Sequence, residues 1–342
     1  MPDSLLIEQI GAVAWSEQRK IVVLDRAGRR VILLDASGRV SRVFGRRGSA
    51  PGEFQLPSRV GFTHDTLWIT DPGLSRITFL PGSGALYTVS WSHPSPGPGL
   101  SAVFARAVLH DGRVLGNPSA LKVEIGESTV VPYFIATRPR AATLDTVFTT
   151  TMRSASVVVA VPNGSMTIGN PFNSPEYVTS STNGQWLVRL REYQTGSDGR
   201  DLELRDLVNG AVRTLRVRCT PGLLSSAERA RILDGLVNTA PGPLSVPASV
   251  RQTVLAKFAS VPATRVCVHD IMVGGDGTVA MRMESQAKVL QWRILRPDGS
   301  APVQLMLPAT SRIYDALGGE LLIVEVDGDG LPSLLIRSIP TP

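Results

Sequence analysis

Short apolar runs broken by glycine-bearing turns recur along this chain of 342 residues, and one unit of the pattern is written twice. Residues 20–38 read KIVVLDRAGRRVILLDASG, and residues 66–84 read TLWITDPGLSRITFLPGSG. In each, an apolar run ends on an aspartate (Asp25, Asp71), an arginine follows five positions later (Arg30, Arg76), and a β-branched residue opens the next run (Val31, Ile77). Glycine closes the unit at the same offset (Gly38, Gly84). Runs of this length, rich in Val, Ile, Leu and aromatics and bounded by turn residues, predict strands. The spacing from Asp25 to Asp71 is 46 positions, which is the period of a β-propeller blade.

The rest of the chain follows the same rhythm. The first blade is predicted as four runs over 11–15, 20–25, 29–35 and 40–45, the second over 57–91, and a third from 103. Asn117 lies a further 46 positions beyond Asp71. Residues 156–169 predict a hairpin around Asn163-Gly164, a type I′ turn signal. It precedes a complete blade at 176–217, so it reads either as an accessory hairpin or as part of a seventh, incomplete blade. A further blade covers 266–307, with Trp292 expected in its core. Residues 312–339 then supply an inner strand and two strong strands, and the chain stops. Residues 4–10 (SLLIEQI) form a lone strand at the other end. The expectation is an all-β, six-bladed propeller forming a single domain, with the N-terminal strand closing the last blade so that neither end leaves a bare edge.

Between residues 220 and 262 the strand pattern gives way to a helical insertion. Ser225-x-x-Glu228 is a capping box, and Ala230, Leu233 and Val237 share a helix face. A second short helix is expected to open at Ser249-x-x-Gln252, with Val250, Val254 and Phe258 at i, i+4 and i+8. Such a pair reads as a cap over one rim, either a patch over sheet edges or a lid over a binding site.

A strand ending in Asp, an Arg five residues on, a D-x-x-G turn, then G-x-x-G-x-x-P-G-E-F (residues 45–54) and Pro57 before the next strand together resemble an NHL-type propeller repeat. The resemblance covers residues 20–80. The whole chain is similar to bacterial proteins described as six-bladed β-propellers, most without an assigned activity. What the resemblance implies is a fold, and a function among protein-binding modules, RNA-binding modules and, occasionally, enzymes. It also implies that the Asp and Arg at these offsets tie the hairpin together.

Composition fits many buried short strands: 43% hydrophobic, 19% charged, with 32 Gly and 25 Pro. The formal charge of +6 comes almost wholly from arginine, since lysine occurs only at 20, 122, 257 and 288. Arginine's planar fork suits carboxylate or phosphate, so a basic face for an acidic partner is one reading and ordinary solvation the other. No dense basic run carries interleaved aromatics, as a single-strand nucleic-acid groove requires, so a nucleic-acid partner is not expected. No run of eighteen apolar residues encodes a membrane span. Residues 1–11 have neither a basic stretch nor an apolar core of a signal peptide; the compartment stays open, and export is expected only if the chain is a trimmed form. A monomer is expected. Cys219 and Cys267 make neither a zinc cluster nor a CxxC pair. They flank the insertion, and two readings stand: a disulfide if their Cα atoms come within about 7 Å, or two buried thiols.

For chemistry, the turns of a propeller would bring Asp25, Asp71, Asn117, Glu192, Glu284 and Glu325 to one rim, where oxygen donors could hold Ca²⁺. Asp25, Asp71 and Glu284 are the metal candidates, with hairpin closure as the competing role for the two aspartates. Binding candidates are Arg46, Arg47, His93, Asn117, Asn170 and His269. The four histidines show no HExxH spacing, no G-x-S-x-G elbow is present, and residues 45–52 lack the Lys-Ser/Thr step of a phosphate loop. The expectation is a non-catalytic binding or scaffold propeller that recognises a protein, peptide or glycan on its capped rim and needs no cofactor. The alternative is a calcium-assisted hydrolase or lyase at the axial mouth, using rim carboxylates and Asn117 or Asn170.

Overall fold

Each repeat unit folds as a four-stranded antiparallel meander. The computed structural model of the protein describes residues 7–91, 103–118, 128–136, 145–153, 156–161, 164–172, 176–191, 193, 197–219, 222–238, 246–259, 261, 263–283 and 289–341. The first blade is β1 (Ile10–Trp15), β2 (Ile21–Asp25), β3 (Arg30–Leu34) and β4 (Val40–Phe44). The second is β5 (Arg59–Thr63), β6 (Thr66–Asp71), β7 (Arg76–Pro81) and β8 (Tyr87–Ser90). The third is β9 (Val103–Val108), β10 (Val114–Pro118), β11 (Ser128–Ala136) and β12 (Asp145–Arg153). A separate hairpin, β13 (Ser156–Val161) with β14 (Gly164–Gly169), follows. The fourth blade is β15 (Tyr177–Ser180), β16 (Trp186–Leu190), β17 (Gly199–Asp206) and β18 (Val212–Arg218). After the helices α1 (Ser226–Val237) and α2 (Arg251–Ala259) comes the fifth: β19 (Val268–Val273), β20 (Val279–Met283), β21 (Val289–Leu295) and β22 (Val303–Pro308). The chain ends in a three-stranded sheet of β23 (Ser311–Leu317), β24 (Glu320–Val326) and β25 (Pro332–Ser338).

The expectation of six four-stranded blades is therefore corrected; of the expected closing strand, residues 4–6 lie outside the described residues. Five four-stranded blades form, and among the described residues the terminal sheet has three strands. Residues 8–10 go to the first blade, and the physical reason lies at Asp25. Its buried carboxylate accepts the backbone N–H of Glu8 at 3.4 Å and of Gln9 at 3.1 Å, which ties the approach segment to the first blade. Ile10 then begins β1 and pairs with β2 rather than with the terminal sheet.

The sheets stand around a common axis. Innermost strand β1 packs against β5 on one side and β23 on the other, β5 against β9, and β19 against both β15 and β23. Apolar layers fill the gaps between neighbouring sheets: Val22, Leu24 and Val31 meet Val60 and Ile69, and Leu322 and Val324 meet Val13 and Ile21. Strands covered on both faces have no solvent side, so β2 reads IVVLD without alternation and all five residues are buried. The outermost β4 reads VSRVF and is largely exposed. Each fully buried Val, Leu or Ile contributes about 1.5–3 kcal/mol, so the interblade layers are the main source of stability. Trp292 is buried, as expected.

The hairpin and the helices form one satellite unit. Val157, Val159 and Ile168 of the hairpin, together with Phe172, pack against Leu233, Val237, Val254 and Phe258 in a core of their own. Helix α1 has the anticipated capping box at Ser225 and Glu228. Ser249 does not cap the second helix: it lies inside a 3₁₀ turn, Ala248–Val250, that opens after Pro247. Cys219 and Cys267, with Cα atoms 6.0 Å apart, form a disulfide at the base of the insertion. Among the described residues no helix is long and apolar enough to cross a membrane.

Candidate ligand-binding site

A propeller has two faces. Turns between first and second strands open on one face, while turns between second and third strands and the interblade crossovers open on the other. The first face is closed at the axis by a single turn of the fourth blade, residues 181–185. Thr182 accepts the Phe62 N–H of the second blade at 3.0 Å, and Gly184 accepts the His110 N–H of the third at 3.2 Å. Asn183 Nδ2 donates to the Gly275 carbonyl of the fifth at 2.9 Å. Gly61 permits this approach, because a Cβ there would sit 2.0 Å from the Thr182 carbonyl oxygen.

Asp315 completes the floor. Its carboxylate accepts the Thr182 hydroxyl at 2.6 Å, the Trp15 N–H at 2.9 Å, the Gly275 N–H at 3.3 Å and the Ala316 N–H at 2.8 Å, so it joins the first, fourth and fifth blades to the terminal sheet. Burial pushes its pKa up to about 6, against the pull of those four hydrogen bonds.

Above this floor the axis holds a well of about 410 Å³ open to the other face. Its walls are the innermost strands, and its charge is one-sided. Arg26, Arg59, Arg106 and Arg312 line it, with Asp270 as the single carboxylate among its described lining residues. Asp270 pairs with Arg312 at 3.1 Å. Arg59 is open to water within the well yet walled by protein. Loss of solvation, then repulsion from Arg106 and Arg312, lowers its pKa to about 10, with Asp270 the opposing influence. Because the charges that Arg59 senses come from the third blade, the fifth blade and the terminal sheet, its guanidinium stands near the axis.

Backbone irregularity helps to aim these side chains. Pairing registers shift by one residue in four innermost strands, leaving Gly11, Arg106, His269 and Tyr314 as the extra residues of β-bulges. A bulge re-aims a side chain where a regular strand would send it elsewhere. Gly11, Arg106 and Tyr314 line the well. At Gly11 a Cβ would lie 3.0 Å from Arg26 Cβ, so glycine leaves room for Arg26 to lean across the rim. Tyr177 adds a phenol whose pKa is raised, chiefly by burial, so it stays a hydrogen-bond donor at neutral pH.

The residues singled out from sequence fall elsewhere. Asp25 and Asp71 are fully buried and anchor the segment that leads into their own blade: Asp71 accepts the N–H groups of Gln55 at 2.8 Å and Leu56 at 2.9 Å, as Asp25 does those of Glu8 and Gln9. Arg30 pairs with Asp25 at 3.0 Å. Arg76 instead donates to the carbonyls of Ser49 at 2.7 Å, Ala50 at 2.9 Å and Glu53. Arg46 donates to Glu53 at 2.7 Å on the exposed interblade loop, and Arg47 forms a backbone bridge with Phe54. The side-chain oxygen of Asn170 accepts the Phe172 N–H at 3.0 Å within the satellite unit. His269 lies on β19 outside the well lining, its pKa lowered by burial and then by Arg282. Asn117 stands on β10 opposite Phe104, and its side chain lies outside the described residues, as do His93 and Glu284. His64 and His110 meet edge to face, ring centroids 4.3 Å apart, on turns of the closed face.

Among the described residues no group of three or more His, Cys, Asp or Glu comes together that could hold a metal ion. The well itself suits a hard cation poorly, because one ion-paired carboxylate faces four guanidinium groups.

The arginines of the well were missed because no single one stands out in an arginine-rich chain. Ser-Arg followed by a β-branched residue occurs at Ser58-Arg59-Val60 and Ser311-Arg312-Ile313 on innermost strands, but also at Ser41-Arg42-Val43 and Ser75-Arg76-Ile77 away from the well, so the motif does not pick out the site.

No protein-family model matches the chain, and no curated protein matches it. Solved structures do. A member of the DUF4221 family from Bacteroides vulgatus is 11% identical, with 98% of this chain and 94% of that chain covered and a TM-score of 0.51. A gluconolactonase from Xanthomonas campestris is 15% identical, with 98% and 88% covered and a TM-score of 0.40. A streptogramin B lyase is 12% identical, with 99% and 86% covered and a TM-score of 0.37. At these identities the likeness is one of fold, the propeller.

Proposed function

We propose that this protein is a ligand-binding propeller that takes an anionic ligand into its axial well. The observation that carries the reading is Arg59, set near the axis with Arg106 and Arg312 as its charged neighbours and Asp270 the one carboxylate in opposition among the described lining residues. Cations gathered at one mouth repel one another, and an anion that enters relieves the repulsion while gaining charge-assisted hydrogen bonds. The volume, about 410 Å³, falls within the range of small-molecule sites, roughly 300–1,000 Å³. A peptide or glycan qualifies as ligand through an acidic end or substituent. The resemblance of residues 20–80 to NHL-type repeats accords with a binding role. Binding is favoured over hydrolysis because the described walls of the well carry no histidine and no second carboxylate to work as acid and base.

The test is a thermal melt against sodium phosphate, sulfate and citrate, each matched to sodium chloride at equal ionic strength. A ligand that binds only the folded state stabilises it by about 2.7 kcal/mol at a hundred times its Kd. The expected result is a saturable rise in Tm with at least one of these anions, lost in Arg59→Gln. No rise with any of the three overturns the reading.

A further inference from the structure

A second cavity, of about 170 Å³, opens between the fourth and fifth blades and shares no lining residue with the axial well. Its two walls are built alike. On β18, Arg213, Leu215 and Val217 alternate at the strand period of two and so share a face, and on β21 Arg293 and Leu295 do the same. The leucines, with Val217 and Met281, continue the apolar layer that fills the gap between these sheets. Each wall thus sets a guanidinium beside a leucine.

The partly buried arginines of this groove bond mainly to neutral groups. Arg213 donates to the Pro297 carbonyl at 2.5 Å and Arg293 to the Arg218 carbonyl at 3.1 Å, so each reaches across to the other blade. Arg296 donates to the carbonyls of Ile339 at 3.4 Å and Pro340 at 2.5 Å. These bonds hold the two blades and the end of the chain together, but a carbonyl accepts an N–H without cancelling the charge, and a guanidinium has five donors to place. Arg216 is answered by Asp198 at 2.9 Å and Asp201 at 2.7 Å. The described lining itself contains no carboxylate. Asp298 faces Arg296 and Arg213 from an exposed turn, where it accepts the Ser300 N–H at 2.8 Å. Gly299 of that turn keeps Arg213 in place: a Cβ there would lie 2.2 Å from Arg213 Nη2.

We infer that this groove is a second ligand site, for a small carboxylate with an apolar body, of the size of benzoate. The carboxylate takes the free donors of Arg213 and Arg293, and the body covers Leu215 and Leu295. A bare inorganic anion leaves the leucines wet, and a neutral apolar molecule leaves the arginines without a counter-charge. The volume lies below the roughly 300 Å³ at which larger ligand pockets begin, which suits one small ring.

Calorimetric titration of the full chain with benzoate, acetate and benzyl alcohol at constant ionic strength tests the inference. Benzoate is expected to bind saturably and at least fivefold more tightly than the other two. Arg213→Gln and Arg293→Gln should each weaken it fivefold or more, with circular dichroism confirming their fold, whereas Arg59→Gln of the axial well should leave it unchanged. No saturable binding of benzoate, or binding no tighter than that of acetate or benzyl alcohol, would overturn the inference without any variant being needed. Benzoate binding lost in Arg59→Gln and unaffected in Arg213→Gln and Arg293→Gln would also overturn it, while leaving the anionic reading of the well in place.

Discussion

The Thr182 hydroxyl donates to the Asp315 carboxylate at 2.6 Å across 133 residues of sequence. This bond joins the fourth blade to the terminal sheet on the axis, at a carboxylate that also holds the first and fifth blades. Four sheets thus share one buried acceptor, and the floor of the well depends on it.

Asp315 makes stability depend on pH in a stated direction. Its folded pKa of about 6 lies above the ordinary 3.8, so between pH 4 and 6 the folded protein keeps a proton that the unfolded chain has released. This contribution is fully present below pH 4 and is lost as pH rises through 6. At about 1.4 kcal/mol per pKa unit, it amounts to on the order of 3 kcal/mol. Asp315→Asn removes the slope, and it costs roughly 2–4 kcal/mol because an amide oxygen accepts less and its NH₂ opposes donors already in place. Urea unfolding at pH 4, 5, 6 and 7 measures both. Parallel pH profiles for parent and variant would show that the carboxyl does not titrate in this range.

Asp270 is the counter-charge among the well's described lining residues. Asp270→Asn is expected to tighten anion binding about three- to tenfold, since it removes the negative charge within reach of Arg59 and Arg312. The same change releases Arg312, a half-exposed partner whose loss costs at most about 1 kcal/mol of stability. Calorimetry with citrate reads the first effect, and an unchanged or weaker affinity contradicts it.

The satellite unit should unfold on its own terms. Reduction of Cys219–Cys267 opens a loop with a sequence separation of 48, which the chain-entropy argument values at about 4 kcal/mol. Phe258→Ala, at the centre of the satellite core, is expected to cost about 3–5 kcal/mol. Because that core contains none of the well's lining residues, limited proteolysis should cut first within 220–262 in the variant. Anion binding by the well should persist. Loss of binding together with loss of the satellite core would instead show that the helices serve the well.

The repeat Asp25/Asp71 was legible as recurrence and, at Asp25, as the hairpin closure expected of it, with the Gly28 N–H at 3.2 Å and Arg30 at 3.0 Å; the role common to both aspartates was not legible. Its meaning, a carboxylate capturing the N–H groups of the segment leading into its blade, needs Gln9 and Leu56 brought beside residues more than a dozen positions away. The hairpin at 156–169 was legible from its turn, whereas its partnership with the helices of residues 226–259 was not. Periodicity reports which face of an element is apolar, and not which other apolar face will cover it. The closing strand was read from a lone apolar run. A local hydrogen-bond acceptor, Asp25, takes the N–H groups of Glu8 and Gln9 at the end of that run, and strand pattern carries no sign of that competition.

By itself the sequence determined the strand rhythm, the blade period, the capping box at Ser225 and the interruption between Cys219 and Cys267, because these depend on neighbours within a few residues. Tertiary structure alone decided that residues 8–10 belong to the first blade, that residues 181–185 close the axis, and that arginines from the first, second and third blades and the terminal sheet converge with Asp270. Convergence at an axis depends on how separate sheets are rotated around it and on single-residue bulges that re-aim side chains. Neither leaves a periodic trace in the chain.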